Sequence, residues 1–221
     1  MDEKLIEVRD KLLKLSEAAA ADGEPLRWFE ELYSSAKRDA GEIPWAALEP
    51  NPVMMGWLQG RGLSGHALVI GCGLGDDAAG LAAEGFEVTA FDLSDSCIEW
   101  CRERFPDSNV EWEVADLLNL PESWLAKFDL VVEIHILQAI PEELRERAAP
   151  MVPKLLKNGG HLFCIGRLDD GSESEIPPPP WPLKMSWLQA MFASLEQVDF
   201  QPFIKEETPD VNRYLAVWKK S

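Results

Sequence analysis

A glycine-rich turn directly after a short apolar run constrains this chain more than any other feature of its sequence. Residues 68–70 are Leu-Val-Ile, glycines follow at positions 71, 73 and 75, and a helix-forming segment begins at Asp76. Such glycines allow a tight bend and a close approach of a ligand to the backbone. In open α/β sheets, ligands lie beyond the carboxyl ends of the strands. The motif therefore predicts a ligand site, and a tight turn without a ligand is the alternative.

Strands alternate with helices from residue 66 onward. Strands are predicted at 67–70, 86–91, 109–114, 128–133 and 160–165, and helices at 76–84, 95–104, 142–156 (broken at Pro150 and Pro153) and 183–195. Two last strands, 197–205 and 213–219, have no helix between them and should form an antiparallel hairpin. The predicted fold class is α/β: a doubly wound, seven-stranded, mostly parallel sheet with a C-terminal antiparallel hairpin.

The N-terminal part has a different pattern. Residues 2–20 carry apolar side chains at helical spacing, an aromatic segment follows the turn at 22–25, and 43–52 is rich in proline. We expect residues 1–60 to form a helical and aromatic lid segment and residues 61–221 to form the ligand-binding domain. The loop at 169–182, with four prolines at 177–180, is expected to be extended.

The charge balance limits the partners. The chain has 21 Lys and Arg against 39 Asp and Glu, a net charge of −18. Such an excess repels nucleic-acid phosphates and anionic membranes. No apolar run reaches the ~18 residues that a membrane span needs. We expect a small-molecule partner, neutral or cationic, with no nucleic acid and no membrane, and a monomer or weak dimer.

The cysteines and the N-terminus indicate a reduced, cytoplasmic protein. None of the four cysteines lies in a C-x-x-C pair, and the three histidines give no zinc spacing. Cys97 and Cys101 could share a helix face and bind a metal, but buried packing is the favoured interpretation, so no metal is predicted. The sequence Met-Asp-Glu-Lys at the start lacks the apolar segment of a secretory signal.

An acidic residue follows the second predicted strand. Asp92 can accept hydrogen bonds from two ribose hydroxyls, and helix capping, the alternative, is already available from Ser94 or Asp95. NAD and S-adenosylmethionine both contain such a ribose. A dinucleotide fingerprint requires glycine at position 76, and Asp76 and Asp77 would oppose a pyrophosphate at the helix N-terminus. S-adenosylmethionine, a sulfonium without phosphate, is therefore the predicted cofactor.

A third acidic position, Asp116 after the third strand, can accept the adenine amino group, with a plain turn acid as the alternative. The order of the glycine turn, Asp92, Asp116 and the segment Phe-Asp-Leu-Val-Val-Glu at 128–133 resembles the Rossmann-like (class I) S-adenosylmethionine-dependent methyltransferases over residues 43–221. The resemblance implies small-molecule methyl transfer, with S-adenosylhomocysteine as product. It implies these cofactor contacts: Trp45, Gly71, Cys72, Gly73, Asp92, Leu93, Asp116, Leu117 and Glu133.

A narrower resemblance links the chain to the thiopurine, thiol and halide methyltransferase-like group. It rests on residues 28–33, the Ile-Pro-Trp at 43–45, the Glu-Pro-Asn-Pro at 49–52, and the stretch 133–141 with Leu-Gln-Ala-Ile at 137–140. The chain departs from this group at Ile134 and His135, where an aromatic or hydroxyl-bearing residue is common. The acceptor is therefore not carried over.

The acceptor site is expected just past the fourth strand. His135 can take a proton from a hydroxyl, amine or thiol, or can serve as a structural histidine. Glu133 is a second catalytic candidate, adjacent to the methionine amino group and the acceptor. The expected acceptor contacts are Trp28, Tyr33, His135 and Trp181, and aromatic packing is the alternative for each tryptophan and the tyrosine.

Two other functions stay open. A non-catalytic S-adenosylmethionine-binding module would keep the glycine turn and Asp92 but lose the acceptor pocket. An NAD-dependent reductase is suggested by Tyr33-x-x-x-Lys37, but in short-chain reductases this pair follows the glycine turn, whereas here it precedes the turn. A further argument against the reductase is Asp76.

Overall fold

The structure, a computed structural model, describes residues 3–172 and 179–221. Part of the predicted proline-rich loop, 173–178, lies outside the described residues. The other described segments form one seven-stranded sheet with helices on both faces and an N-terminal helical segment beside it.

The sheet has the order β3-β2-β1-β4-β5-β7-β6. Its strands are β1 (His66–Ile70), β2 (Glu87–Asp92), β3 (Glu111–Val114), β4 (Phe128–Ile134), β5 (Leu156–Arg167), β6 (Glu196–Lys205) and β7 (Thr208–Lys219). The first five are parallel, whereas β7 runs antiparallel to both β5 and β6. This order confirms the predicted α/β fold and its terminal hairpin. The topological switch point of the sheet therefore lies between β1 and β4, and ligands bind at this point in such folds.

The helices are α1 (Glu3–Ala21), α2 (Arg27–Ala36), α3 (Pro52–Leu58), α4 (Asp76–Ala83), α5 (Asp95–Arg104), α6 (Glu142–Ala148), α7 (Val152–Leu155) and α8 (Met185–Met191). A 3-10 turn, Ala149–Met151, joins α6 to α7 and contains Pro150, so the predicted break is confirmed. No helix among the described residues is long and apolar enough to cross a membrane.

The sheet is covered on both faces, and its central strands β1 and β4 are mostly apolar. Along β1, Ala67 and Val69 pack with α3, α4 and α5, whereas Leu68 and Ile70 pack with α6, α7 and α8. Side chains of a strand alternate between its faces, so a strand buried on both sides reads as a continuous apolar run. The glycine turn therefore follows a buried strand, and packing on both faces of that strand fixes the position of the turn.

The N-terminal segment is attached to α5. Glu30 of α2 accepts hydrogen bonds from the Ser94 hydroxyl (2.5 Å) and from the Ser96 amide (3.1 Å). Arg38 donates two hydrogen bonds to Glu103, at 2.7 and 2.8 Å. Between these anchors lies an apolar cluster of α1, α2 and α5 side chains. The segment thereby meets the main domain at the loop after β2.

Several boundaries differ from the prediction; β7, for example, begins at Thr208 rather than at residue 213. β5 begins at Leu156, four residues earlier than expected, since Phe128 pairs with Leu156 and the register then shifts before Leu130 pairs with His161. Gly159, with φ +81°, takes up the extra residues, so the Asn-Gly-Gly sequence forms an irregularity within the strand rather than a turn before it. α8 is shorter than predicted and ends at Met191.

Candidate active site

The glycine turn brings bare backbone to the carboxyl ends of β1 and β4. Gly71 and Gly73 have φ values of +58° and +54°, in the left-handed region that favours glycine. A Cβ at Gly71 would lie 2.4 Å from the Ile136 side chain. A Cβ at Gly73 would meet nothing closer than the Tyr33 hydroxyl at 3.6 Å and Trp45 Nε1 at 3.7 Å. Gly71 is thus required for packing against the turn after β4, whereas Gly73 faces the N-terminal segment.

Asp92, the last residue of β2, lies against this turn. One of its carboxylate oxygens accepts a hydrogen bond from the Gly73 amide at 3.2 Å, and the other accepts one from the Ser94 amide at 3.1 Å. Burial raises the pKa of Asp92 to about 6. A carboxylate has about four acceptor positions, so two remain after these amides are bound. Both oxygens of Asp92 are thereby held against the glycine turn and the loop after β2.

Asp76 and Asp77 begin α4 as predicted, but both are engaged by the protein itself. Arg104 donates to the two oxygens of Asp76 at 2.8 and 2.7 Å. Asp77 accepts the Asn51 amide at 2.7 Å, and burial raises the pKa of Asp77. The start of α4 therefore holds two carboxylates where a pyrophosphate would need bare amides.

An apolar platform lies at the ends of β2 and β3. Leu93, directly after β2, is 39% exposed, and Val114, the last residue of the edge strand β3, is 42% exposed. Beside them, one oxygen of Asp116 accepts the Leu118 amide at 2.8 Å, and its other oxygen makes no hydrogen bond within the described part of the chain. Leu117 packs into the core. The sequence reasoning missed Val114, although its place as the last residue of β3 could have indicated it.

Trp45 covers the glycine turn from the N-terminal side. Its Nε1 donates to the Tyr33 hydroxyl at 2.9 Å, and the indole is 42% exposed. Trp28 and Tyr33 are only 3% and 2% exposed and lie edge-on to Trp45, with ring centroids 6.1 and 6.0 Å away. Trp28 and Tyr33 therefore support Trp45 by packing, and their expected contact with the acceptor stays a prediction.

Glu133 lies in the core rather than at the surface of the site. Its side chain is fully buried, and one oxygen accepts the amides of Ile136 (2.8 Å) and Leu137 (2.9 Å). Burial raises the pKa of Glu133 to about 7. The strand alternation turns this side chain into the core, and its expected catalytic and cofactor contacts stay predictions. It shapes the turn that carries Ile136 against Gly71.

His135 follows β4 in a left-handed backbone conformation, φ +63°. Its amide donates to the Ile165 carbonyl at 3.0 Å, and its Nδ1 lies 3.1 Å from Gln138 Oε1. Burial, together with cationic Arg213, Lys205 and Arg167, lowers the pKa of His135 to about 4. The imidazole is therefore neutral near pH 7 and has a nitrogen that can accept a proton.

Trp181 lies on the same side as His135. Its amide donates to the Gln138 carbonyl at 2.8 Å, and the Arg145 guanidinium lies 5.9 Å from its ring centroid. Gln138 thus contacts both expected acceptor residues. In the sequence, Gln138 stands out only as part of the motif at 137–140, and no local signal indicates these contacts.

The cysteines pack beneath the glycine turn. The thiols of Cys97 and Cys101 donate to the Gly73 carbonyl at 2.9 and 3.0 Å, and Cys72 is buried beside them. All four cysteines of the chain are free. The described residues contain no group of three or more His, Cys, Asp or Glu side chains arranged to hold a metal ion.

Known proteins match this region. The family model of the methyltransferase domain matches residues 67–160. A probable thiol methyltransferase of Arabidopsis thaliana is 29% identical over 140 residues, which are 58% of this chain and 58% of that protein. A ubiquinone biosynthesis O-methyltransferase of Aromatoleum aromaticum is 30% identical over 119 residues, 52% of this chain and 50% of the relative. The chain thus spans between half and three fifths of the length of these relatives.

Solved structures share the fold. The N-methyltransferase NodS of Bradyrhizobium japonicum, in complex with S-adenosyl-L-homocysteine, superposes with a TM-score of 0.68 at 22% identity, over 86% of this chain and 98% of that one. A protein solved in work on the conversion of a disulfide bond into a thioacetal group in echinomycin biosynthesis gives 0.66 at 22% identity, over 80% of this chain and 85% of that one.

The residues at this site fit S-adenosylmethionine. Asp92 has acceptor capacity for ribose hydroxyls, Leu93 and Val114 offer an apolar surface for a purine, and Trp45 covers Gly73, where the methionine portion would run. The carboxylates at the start of α4 are compatible with a ligand that has no phosphate. Together with the sheet order, the matches show a methyltransferase domain over residues 67–160 within a Rossmann-like α/β fold.

Proposed function

We propose that this protein transfers the methyl group of S-adenosylmethionine to an oxygen, nitrogen or sulfur atom of a small molecule. The observation that carries the proposal is the contact of Asp92 with the Gly73 amide, at 3.2 Å, in the turn after β1, together with the neutral imidazole of His135 after β4, the strand that pairs with β1. By name, the relatives are a probable thiol methyltransferase, an O-methyltransferase of ubiquinone biosynthesis and an N-methyltransferase. They support methyl transfer and leave the acceptor atom open.

The residues of the site have distinct roles in this proposal. The cofactor, when bound, supplies a methyl group on a positively charged sulfur. Asp92 holds the ribose, Asp116 and the platform of Leu93 and Val114 hold the adenine, and Trp45 excludes water above Gly73. His135 accepts the proton that the acceptor atom loses. Positioning supplies much of the rate of such a displacement.

Three further features belong to the same proposal. Residues 1–60 cover the cofactor site, because Trp45 lies against Gly73 and Glu30 binds the loop after Asp92. A cytoplasmic location is supported by four free, buried cysteines. The net charge of −18 argues against nucleic acid and anionic membranes as partners. A monomer or weak dimer remains a prediction.

Cofactor binding is tested by calorimetry with S-adenosylhomocysteine. Asp92→Ala should weaken binding by about 1.5–3 kcal/mol, the range for hydrogen bonds to a charged group, or roughly 10- to 150-fold. Asp107→Ala, an exposed acid in the turn after α5, is the matched control and should bind like the wild type. Tight binding of NAD with no binding of S-adenosylhomocysteine would overturn the proposal.

The reaction is tested with a panel of thiols, phenols and amines, in which release of S-adenosylhomocysteine reports transfer. Release that depends on one class of acceptor and is lost in Asp92→Ala supports the proposal. A protein that binds the cofactor but methylates no member of a broad panel would favour the non-catalytic binding module instead.

A further inference from the structure

The side-chain amide of Gln138 has a fixed orientation. Gln138 is fully buried, its Oε1 accepts the Arg167 amide at 2.7 Å, and its Nε2 donates to the Arg167 carbonyl at 2.6 Å. The reverse orientation would set an NH₂ against an N–H and an oxygen against a carbonyl, so these two backbone groups exclude it. Gly166 makes the contact possible, since a Cβ there would lie 2.7 Å from Oε1. Oε1 can therefore only accept.

This acceptor determines which nitrogen of His135 carries the proton. Nδ1 lies 3.1 Å from Oε1, and only a protonated Nδ1 can donate to it. The charged groups that face the imidazole are cationic: Arg167 on β5, Lys205 on β6 and Arg213 on β7. With burial they keep the ring neutral near pH 7, with one proton. Nε2 then has a free electron pair, and it makes no hydrogen bond to any described residue.

The backbone of His135 supports a functional placement. A left-handed φ is uncommon for residues other than glycine, and such conformations cluster at functional sites. The conformation brings the imidazole to the end of β5, whereas the next residue, Ile136, lies against Gly71. The imidazole and the glycine turn thus lie on opposite sides of the end of β4, the imidazole toward β5 and the glycine turn at the end of β1.

We propose that Gln138 is a positioning residue that holds the proton of His135 on Nδ1, so that Nε2 is the atom that receives the proton of the acceptor. The inference rests on the proposed function. In the reaction the proton of the acceptor passes to Nε2, the freed electron pair forms the bond to the methyl carbon, and the electrons of the carbon–sulfur bond return to sulfur. The imidazolium then releases its proton to solvent.

Nitrogen NMR on the full chain tests the tautomer without any ligand. With ¹⁵N-labelled histidine, a spectrum that correlates the ring nitrogens with the ring C–H groups identifies the protonated nitrogen directly. The chain has only three histidines, and His135→Asn assigns the signals of interest by their loss. At pH 7 we expect a protonated Nδ1 and an unprotonated Nε2 in the wild type. A proton on Nε2 in the wild type would overturn the proposal.

Variants of Gln138 test its role. Gln138→Leu removes the acceptor, so a large fraction of His135 should move its proton to Nε2; the exposed Gln189→Leu is the control and should leave the tautomer unchanged. Gln138→Glu keeps an acceptor and adds a negative charge, so the pKa of His135 should rise. A folded variant of either type without its effect contradicts the proposal, and if both fail to fold, the wild-type spectrum still decides.

The two proposals fail separately. A wild type with the proton on Nδ1 that methylates no acceptor refutes the proposed function and leaves the assignment of the tautomer intact. Methyl transfer by a protein whose His135 carries its proton on Nε2 refutes only the role of Gln138.

Discussion

At the scale of single residues, Glu133 has defined hydrogen bonds but lies in an apolar environment that is unfavourable for a carboxylate. Its carboxyl group is fully buried in the core beside α6 and α8, and its second oxygen has no hydrogen-bond partner within the described part of the chain. Transfer of a charged carboxylate into such surroundings is costly unless it is paired. Two backbone amides offset part of that cost, and the pKa still rises from 4.5 to about 7.

Glu133→Gln should flatten the dependence of stability on pH between about 4.5 and 7. Because the pKa is higher in the folded than in the unfolded state, the folded protein holds more protons in this range and loses stability as pH rises. The shift corresponds to about 3 kcal/mol. The amide still accepts from Ile136 and Leu137. Urea unfolding at pH 5 and 7.5 measures the effect.

Glu113→Gln, at an exposed position of β3, serves as the control for this comparison and should keep the pH dependence of the wild type. If Glu133→Gln retains it as well, Glu133 titrates near its ordinary pKa, and the interpretation of its burial is wrong.

At the scale of elements, α2 is joined to the loop that holds the ribose carboxylate. Glu30 accepts three hydrogen bonds, from the Ser94 hydroxyl and from the amide and hydroxyl of Ser96. The amide of Ser94 in turn donates to Asp92. The pKa of Glu30 is lowered because the serine hydrogen bonds outweigh the effect of its burial. A change in α2 is therefore transmitted to Asp92 over two contacts.

Glu30→Ala should weaken S-adenosylhomocysteine binding about fivefold, near the 1 kcal/mol of a typical hydrogen bond. It should also speed proteolysis at the exposed turn 22–25, and in the wild type saturating ligand should slow that cleavage. Glu17→Ala, on the exposed side of α1, is the control. Equal cleavage of the wild type with and without ligand would mean that residues 1–60 are fixed scaffold rather than a lid.

The sequence predicted the elements well because strong local signals agree with the fold. The apolar run before Gly71 and the cap at Ser94 are local features, and the structure has an element at each, whereas helix α3, which Asn51 caps, is not predicted from its proline-rich surroundings. The arrangement of the site depends on contacts between distant residues. The pairing of Gln138 with the Arg167 backbone and the burial of Trp28 and Glu133 follow from packing, which periodicity does not encode.

At the scale of the whole molecule, the net charge of −18 is distributed over a small domain. Like charges at this density repel each other and destabilise the compact state. Local ion pairs such as Asp76 with Arg104 stabilise the compact state instead. Arg104 is well placed for such a pair because only 21% of its side chain is exposed. Which of the two effects dominates decides how the protein responds to salt.

We expect sodium chloride to raise the midpoint of thermal unfolding between about 0.02 and 0.3 M, since the Debye length falls from about 20 Å toward 6 Å and screens repulsion over that distance. Asp107→Lys, at an exposed site, reduces the net negative charge by two. It should raise the unfolding midpoint at low salt and make the midpoint depend less on salt. Asp107→Asn removes only one negative charge and should give a smaller effect of the same sign. Scanning calorimetry with S-adenosylhomocysteine absent measures each midpoint. A midpoint that falls as salt increases would show that specific ion pairs, rather than the excess of acidic residues, control the electrostatic part of the stability.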